Sequence, residues 1–497
     1  MGQGPGQSRY AAQMWGSGAT IIGFILVGLL PASLKSSPAK NPANSPLARP
    51  DIVFVQTRAF VPGPLAQRFP QGSRIVRLNS ANNTGDLLPL TSEFFSAADP
   101  QVSFDATKIL FSAEKSKGDR WQLWEMNLDG SQKRQITQCS ENCLRGAYLP
   151  ANEIAFTAEP AATNQTFSQL AVVNTDGSNF HIITFGTAPF QLETVLRDGR
   201  IVASAPWPLR DSPDATTRIL YTLRPDGTAL ESFRCFHNDQ AILTDVEELQ
   251  DGSLVFIRQA ILGRNPGGAL VLVKQGALRA APLAPLQAIY QSPRQFSDHE
   301  LIVSRPTLAA TNVPGRSDLY LLNLSTGALG PLIYRDSTLS STQPVPVLPR
   351  PVPKHYWNTL NPESATGSFI SLDSYSSADA ANGRISTPIS RVRVFALTTR
   401  DGSERDLGEA PVESDGSFFV KVPANAPIRF VLLDANGHTI REERSWVWAR
   451  PGEQRGCTGC HGDKAVSPDN HWPLTLRRFD TPTPLGETEH AFTSPAK

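Results

Sequence analysis

"DPQVSFDATKILFSAEKSKGDRWQLWEMNLDGSQKRQIT", residues Asp99–Thr137, is one unit of a repeat, and the repeat decides the fold. In this unit an apolar strand, "TKILFSA", follows a turn. A variable polar loop, a second strand and the turn "NLDGS" come after it. Downstream the same order returns with the strands "NEIAFTA", "GRIVASA", "GSLVFIR" and "HELIVSR". They are keyed on Ile154, Ile201, Leu254 and Ile302, where the first unit has Ile109. The matching turns are "NTDGS", "RPDGT", "VKQGA" and "LSTGA". Their glycines, Gly177, Gly227, Gly276 and Gly327, follow Gly130 at spacings of 47, 50, 49 and 51. An earlier copy reads "DIVFVQT" with "NNTGDL", whose Gly85 precedes Gly130 by 45 residues.

A period near fifty with four short strands per unit is the sequence signature of propeller blades. Asp-Gly supplies the positive φ angles of a tight hairpin turn. Six units would close a ring with no free sheet edge. A β-solenoid is the competing reading, although its repeats are usually shorter. The units resemble the TolB-type β-propeller repeat, most clearly in the stretch quoted first, and the resemblance extends over residues 51–340. The Pro-rich "STQPVPVLPRPVPKHYW" follows. Proline cannot sit in a central strand, so residues 341–364 are expected to be a linker. Residues 365–449 read as strands again, in "GSFISLDSY", "SRVRVFALT", "GSFFVKVP", "IRFVLLDANG" and "RSWVWAR". Apolar and polar residues alternate in "RVRVFAL" and "SFFVKV", as in a half-buried sheet. The expected fold is all-β: a six-bladed propeller, a β-sandwich-like middle domain and a short C-terminal segment, 450–497, carrying a cysteine cluster.

Bulk properties agree. The chain has 497 residues, too many for one compact core. Its 46 basic and 46 acidic residues cancel, which argues against a nucleic-acid or polybasic membrane role. With 41 Pro, 36 Gly and 3 Met, it suits strands joined by tight turns. No charged residue stands between Tyr10 and Leu34, whose apolar heart is "ATIIGFILVGLLPA", flanked by Arg9 and Lys35. Residues 1–34 read as an export signal or a single N-terminal membrane anchor, since about 20 residues can span a bilayer. "KSSPAKNPANSPLARP", 35–50, reads as a linker. The expected location is the periplasm or the outer face of the cytoplasmic membrane.

The cysteine cluster is "RPGEQRGCTGCHGDK", with Cys457, Cys460 and His461. Zinc needs four ligands, commonly from two pairs, and no second Cys-x-x-Cys exists. A redox disulfide of this spacing belongs to a βαβ unit, which the chain does not show. Covalent haem requires two thiols for the vinyl groups and an adjacent histidine for the iron, in this order. One haem c on Cys457 and Cys460, with His461 as proximal iron ligand, is expected. In "SWVWARPGEQRG", Trp446 and Trp448 could wall the macrocycle and Arg450 and Arg455 pair with its propionates. The alternative is core packing for the tryptophans and solvation for the arginines.

The stretch "LGEAPVESDGSFFVKVPANAPIRFVLLDANGHTIREERSWVWARPGEQRGCTGCH" resembles the middle-domain region of the hydrazine synthase alpha subunit family. That resemblance implies a propeller ahead of this domain and a haem on the motif. In the synthase a tyrosine shortly after the motif binds iron, and the motif histidine helps to hold zinc. Here "GDKAVSPDNHW" follows His461 and contains no tyrosine, so His461 is expected to take the iron. The family's second haem-bearing C-terminal domain has no counterpart in these 497 residues.

The sixth iron position is open to several readings. The methionines, Met1, Met14 and Met126, all precede the motif. His471 could fold back over the haem, His355 could reach it from the linker, or the iron face could be open. Elsewhere, Cys139 and Cys143 stand four residues apart. Extended, their Cα atoms would be roughly 13 Å apart, too far to bridge, but a turn brings them within range. They are a disulfide candidate. Cys235 then has no cysteine partner, and with His237 it forms a Cys-x-His pair of metal-ligand type. The functional expectation is electron transfer with a periplasmic redox partner. The alternatives are a haem enzyme acting on a small nitrogen or oxygen compound at an open iron face, and a propeller binding protein with an accessory haem.

Overall fold

The computed structural model describes residues 49–497 apart from 59–63, 81–85, 161–166, 207–216, 234–240, 261–266, 276, 278–279, 309–313, 378–379, 381–382, 399–402, 444, 460–471, 480 and 487–497. The N-terminal apolar segment, Gly85, Gly276, Cys235, His237, Cys460, His461 and His471 therefore lie outside the described residues. The described chain is built of strands and short 3-10 turns.

Each repeat unit is an antiparallel meander. In the unit quoted first, Lys108–Glu114 pairs with Ser96–Val102 on its inner side and with Gln122–Asn127 on its outer side. Val102 faces Ile109, and Ile109 faces Met126. The short strand Arg134–Gln135 completes the sheet. Four sheets of the repeat region have four strands, and one has eight. The eight-stranded sheet consists of two such meanders touching at a single parallel pair, Arg218↔Ile242.

The inner strands are Ser96–Val102, Asn142–Leu149, Gln191–Val195, Ala241–Glu248, Gln291–Gln295 and Ser340–Pro346. Each packs against the next, and Ser340–Pro346 packs against Ser96–Val102, so the propeller ring closes. Closure is made by Ser340–Pro346, which lies at the edge of the first sheet and pairs with Ile52–Thr57. Part of the stretch expected as linker from residue 341 is thus a strand. Its edge position is what tolerates Pro344 and Pro346, because one side needs no ladder donors.

Two constraints fix the turn glycines. Gly177, Gly227 and Gly327 have φ of +90°, +82° and +66°. A Cβ at these positions would also run into the carbonyl oxygens of Ile136, Ile183 and Leu283. Those carbonyls belong to the residue that follows the outermost strand of the preceding unit. The glycine of one unit therefore seats the next against its neighbour.

Every inner strand carries a bulge, and a polar residue sits at each: Asp99, Arg145, Glu193, Asp245, Ser292 and Gln343. All except Glu193 have positive φ, between +47° and +55°. The bulge turns each side chain towards the neighbouring strand. Gln343 Oε1 accepts the Asp99 N–H at 2.9 Å, and Asp99 Oδ2 accepts the Arg145 N–H at 3.1 Å. Arg145 Nη2 donates to Glu193 Oε2 at 2.8 Å, and Glu193 Oε2 accepts the Asp245 N–H at 2.8 Å. Asp245 Oδ2 accepts the Ser292 N–H at 3.0 Å. A belt of hydrogen bonds thus crosses five successive strand boundaries.

The middle domain is a two-layer sandwich. One sheet runs Glu404–Pro411, Arg391–Leu397, Ile428–Leu433, Thr439–Glu442. The other runs Gln454–Cys457, Thr366–Ser371, Phe418–Pro423, Thr483–Pro484. Between them lie Phe369, Val392, Val394, Phe418, Val420, Phe430 and Leu432. The alternation in Arg391–Leu397 is realised strictly, odd-numbered residues half-buried and even-numbered ones buried. Two expectations change here. The C-terminal segment is not separate from the sandwich, since Gln454–Cys457 and Thr483–Pro484 are its parallel edge strands. Among the described residues of "RSWVWAR" there is no strand; Val447 alone bridges, to Ile428. Its apolar residues are divided between two bodies, so their spacing mimics a strand.

Candidate functional site

Gln454–Cys457 places the first motif cysteine. The strand lies parallel to Thr366–Ser371, with Cys457 opposite Ser371, and the Cys457 carbonyl accepts the Leu372 N–H at 2.9 Å. Parallel entry requires close backbone approach at Gly367, where a Cβ would sit 2.5 Å from that of Ala449. Cys457 is half-buried against the sandwich core. Burial pushes its thiol pKa up, while the Arg455 guanidinium pulls the other way. Beyond it Gly459 passes the Ser376 carbonyl so closely that a Cβ would lie 2.7 Å from the oxygen. A Cβ at Gly456, by contrast, would meet nothing within 4 Å.

This local geometry suits a covalent haem. The first thiol is anchored on a strand end, and the chain then bends before the second. Cys457 is the described member of the donor set; Cys460 and His461 lie beyond the described residues. Among the described residues no cluster of three or more His, Cys, Asp or Glu side chains could hold a metal ion.

The aromatic and basic neighbours of the motif do something different from walling a macrocycle. Trp448, 1% exposed, inserts between Phe185 and Phe190 of the propeller, edge-on to both at 6.5 and 5.7 Å between centroids. Trp446 stays half-buried beneath Arg429. Arg450 Nε donates to the Asp226 carbonyl at 2.9 Å and Nη1 to Asn425 Oδ1 at 2.7 Å, with its guanidinium over Phe185. Burial draws the Arg450 pKa down to about 10, against the pull of Asp226 and Glu453. Arg455 donates to the Trp448 carbonyl and, at 3.0 Å, to that of Leu230. Glu453 accepts the N–H groups of Arg450 and Ala229 at 2.7 and 3.2 Å. "SWVWARPGEQRG" is therefore the bolt between sandwich and propeller, and both arginines are turned to protein acceptors. His355 is exposed and stacks edge-on with Trp357, 5.0 Å between centroids.

Cys139 and Cys143 do come together, with their sulfurs 2.9 Å apart. The belt residues of the inner strands, which face the propeller's central channel, carry no signal in the repeat pattern. They recur at spacings of 46, 48, 52, 47 and 51, the same period as the turn glycines, but their chemistry differs at each position. The belt encloses a polar cavity of about 30 Å³ beside Arg145, Glu193 and Asp245. That is room for a water molecule or two.

Residues 379–462 match the hydrazine synthase alpha subunit middle domain family, a match that ends just past His461. The hydrazine synthase structure from Kuenenia stuttgartiensis superposes with a TM-score of 0.75, at 20% identity, over 86% of this chain and 71% of that one. The chain is thus similar to the hydrazine synthase alpha subunit in fold and in this domain. The curated hydrazine synthase subunit alpha of Kuenenia stuttgartiensis is 23% identical over 546 residues, covering 82% of this chain. This hydrazine synthase alpha-like chain spans 65% of that relative's length. TolB from Acinetobacter baumannii matches with a TM-score of 0.43, at 12% identity, over 59% of the chain and 66% of TolB.

Proposed function

We propose that the chain is a c-type haem redox protein acting outside the cytoplasm, with one haem held through Cys457, Cys460 and His461. The observation that carries this is the placement of Cys-Thr-Gly-Cys-His. In sequence the motif continues directly from an edge strand of the domain matched to the hydrazine synthase alpha middle domain, which seats the first thiol. The chain's part in attachment is to present two thiols. Cys457 and Cys460 would hold the group through thioether bonds, each thiol adding across a vinyl double bond so that the sulfur takes one carbon and the proton the other. His461 would offer an imidazole nitrogen to the iron, and "GDKAVSPDNHW", just after it, holds no tyrosine to compete. When bound, haem supplies one-electron chemistry or an open coordination face.

Electron relay to a redox partner outside the cytoplasm is the first reading. The apolar segment before Lys35, as leader or anchor, would bring the motif to the compartment in which thioether attachment takes place. A second reading, catalysis at an open iron face, is favoured by the likeness to an alpha subunit of a synthase. Partner subunits are proposed on the same ground. The test is haem-dependent peroxidase staining of the denatured, correctly matured protein. Stain retained in the wild type and lost in Cys457→Ser/Cys460→Ser is expected; stain lost from the wild type on denaturation overturns the attachment. Six-coordinate low-spin iron supports relay, and five-coordinate high-spin iron supports the enzymatic reading.

A further inference from the structure

The connector between the second and third propeller units, Thr137–Asn142, brings Cys139 beside Cys143 at the start of an inner strand. Both ends of this loop are held. Gln122 accepts the Cys139 N–H at 3.2 Å and donates to the carbonyls of Cys139 and Glu141 at 3.1 and 3.3 Å. The Cys143 N–H donates to the Trp121 carbonyl at 2.8 Å, and Cys143 is in register with Ala158. The sulfurs stand 2.9 Å apart, so a small side-chain rotation brings them to the roughly 2.05 Å of a disulfide bond.

We propose that Cys139 and Cys143 form a disulfide by exchange with a disulfide oxidant, Cys139 attacking first and Cys143 resolving. The order follows from position. Cys139 is half-buried on the connector, whereas Cys143 is fully buried at 0% exposure on the strand. The hydrogen bond from Cys143 also favours the Cys139 thiolate, and burial holds Cys143 as a thiol. A thiolate with solvent access is the attacking species in exchange. The Cys139 sulfur bonds to one sulfur of the oxidant and releases the other as a thiol. Cys143 then loses its proton and bonds to the Cys139 sulfur, releasing the second thiol. Two protein thiols are oxidised and one oxidant disulfide is reduced to two thiols, so atoms and electrons balance.

Trypsin isolates the pair on one peptide, Gln135–Arg145. The full-length protein, reduced and then treated with oxidised glutathione, is quenched with iodoacetamide, digested and weighed. The expected product is that peptide lighter by two hydrogens and unalkylated, with glutathione released. In Cys143→Ser the expected product is a persistent glutathione adduct on Cys139. In Cys139→Ser, Cys143 should stay unmodified until the protein is denatured. A wild-type peptide that remains doubly alkylated, or keeps its glutathione, overturns the disulfide. A native Cys143 that takes up glutathione as readily as Cys139 overturns the order of attack.

Discussion

Replacing Arg145 by Met tests whether the channel belt holds the propeller together or merely fills it. The Arg145 side chain is 12% exposed and binds Glu193, whose side chain is fully buried, and Asp245 at 26%. Met removes the charge and keeps a similar stem. Glu193 keeps Ser204 Oγ at 2.7 Å and the Asp245 N–H at 2.8 Å, but loses its guanidinium. Breaking a buried pair on one side typically costs 3–5 kcal/mol, because the remaining charge is stranded. At about 2–4 °C per kcal/mol for a large domain, Tm should fall by roughly 10 °C. Arg200→Met is the control. Its partner Asp198 and Arg200 are each 39% exposed, so that pair is worth about 0–1 kcal/mol.

Acidity provides the second readout. Burial already raises the Glu193 pKa above the ordinary carboxylate value, against the pull of Arg145. Between the unfolded and folded pKa values the native state binds the extra proton, so this group's contribution to stability rises as pH falls. Without Arg145 the folded pKa climbs further. The Tm gap between variant and wild type should therefore narrow as pH is lowered from 7 towards 5, followed by circular dichroism. Glu193→Gln in the Arg145→Met background should recover part of the loss. A gap no larger than that of Arg200→Met, or one that widens on acidification, refutes the reasoning.

Gln343→Ala removes both halves of a reciprocal pair, the amide oxygen on the Asp99 N–H and the amide nitrogen on Asp99 Oδ1 at 2.7 Å. It should cost about 2 kcal/mol and raise hydrogen exchange in Ile52–Thr57 and Ser340–Pro346 first; uniform exchange across the repeats would contradict a seam at this place. Trp448→Ala leaves a hole between Phe185 and Phe190, should cost about 3–5 kcal/mol, and should speed proteolytic cutting within 347–364; unchanged cutting would show that the bolt lies elsewhere. His461→Ala should keep the haem attached but move its absorption bands towards high spin and shift its potential. Stoichiometric zinc lost in that variant, with unmoved bands, would assign the histidine to zinc.

The repeat was legible because two physical demands fall on one residue type. Gly177, Gly227 and Gly327 answer both a left-handed backbone and a carbonyl from the preceding unit, and glycine alone meets both. The channel belt was not legible. Carboxylate, guanidinium, hydroxyl and carboxamide can each bind the adjacent strand from a bulge, so no letter repeats. Pro-rich Ser340–Pro346 was misread because proline excludes the centre of a sheet and not its rim. "RSWVWAR" was misread because Trp448 serves the propeller while Val447 serves the sandwich. The first motif cysteine was legible from spacing chemistry, but its seat was not: Gln454–Cys457 alternates exposed and half-buried positions, yet Arg455 fills an inward one, so the four letters show no apolar–polar pattern.

The pairing of Ile52–Thr57 with Ser340–Pro346 also sets a clock for synthesis. The first strand leaves the ribosome 289 residues, from 57 to 346, before its inner neighbour is complete. At about 5–20 residues per second that is roughly 15–60 s. Units two to five can stack on one another as they emerge, but the apolar edge of "IVFVQT" must wait for the last strand. Throughout that interval it is a template for any other extended chain. A nascent chain of this design depends on being shielded until residue 346 arrives, and the strand that shuts the ring is the last of the propeller to be made.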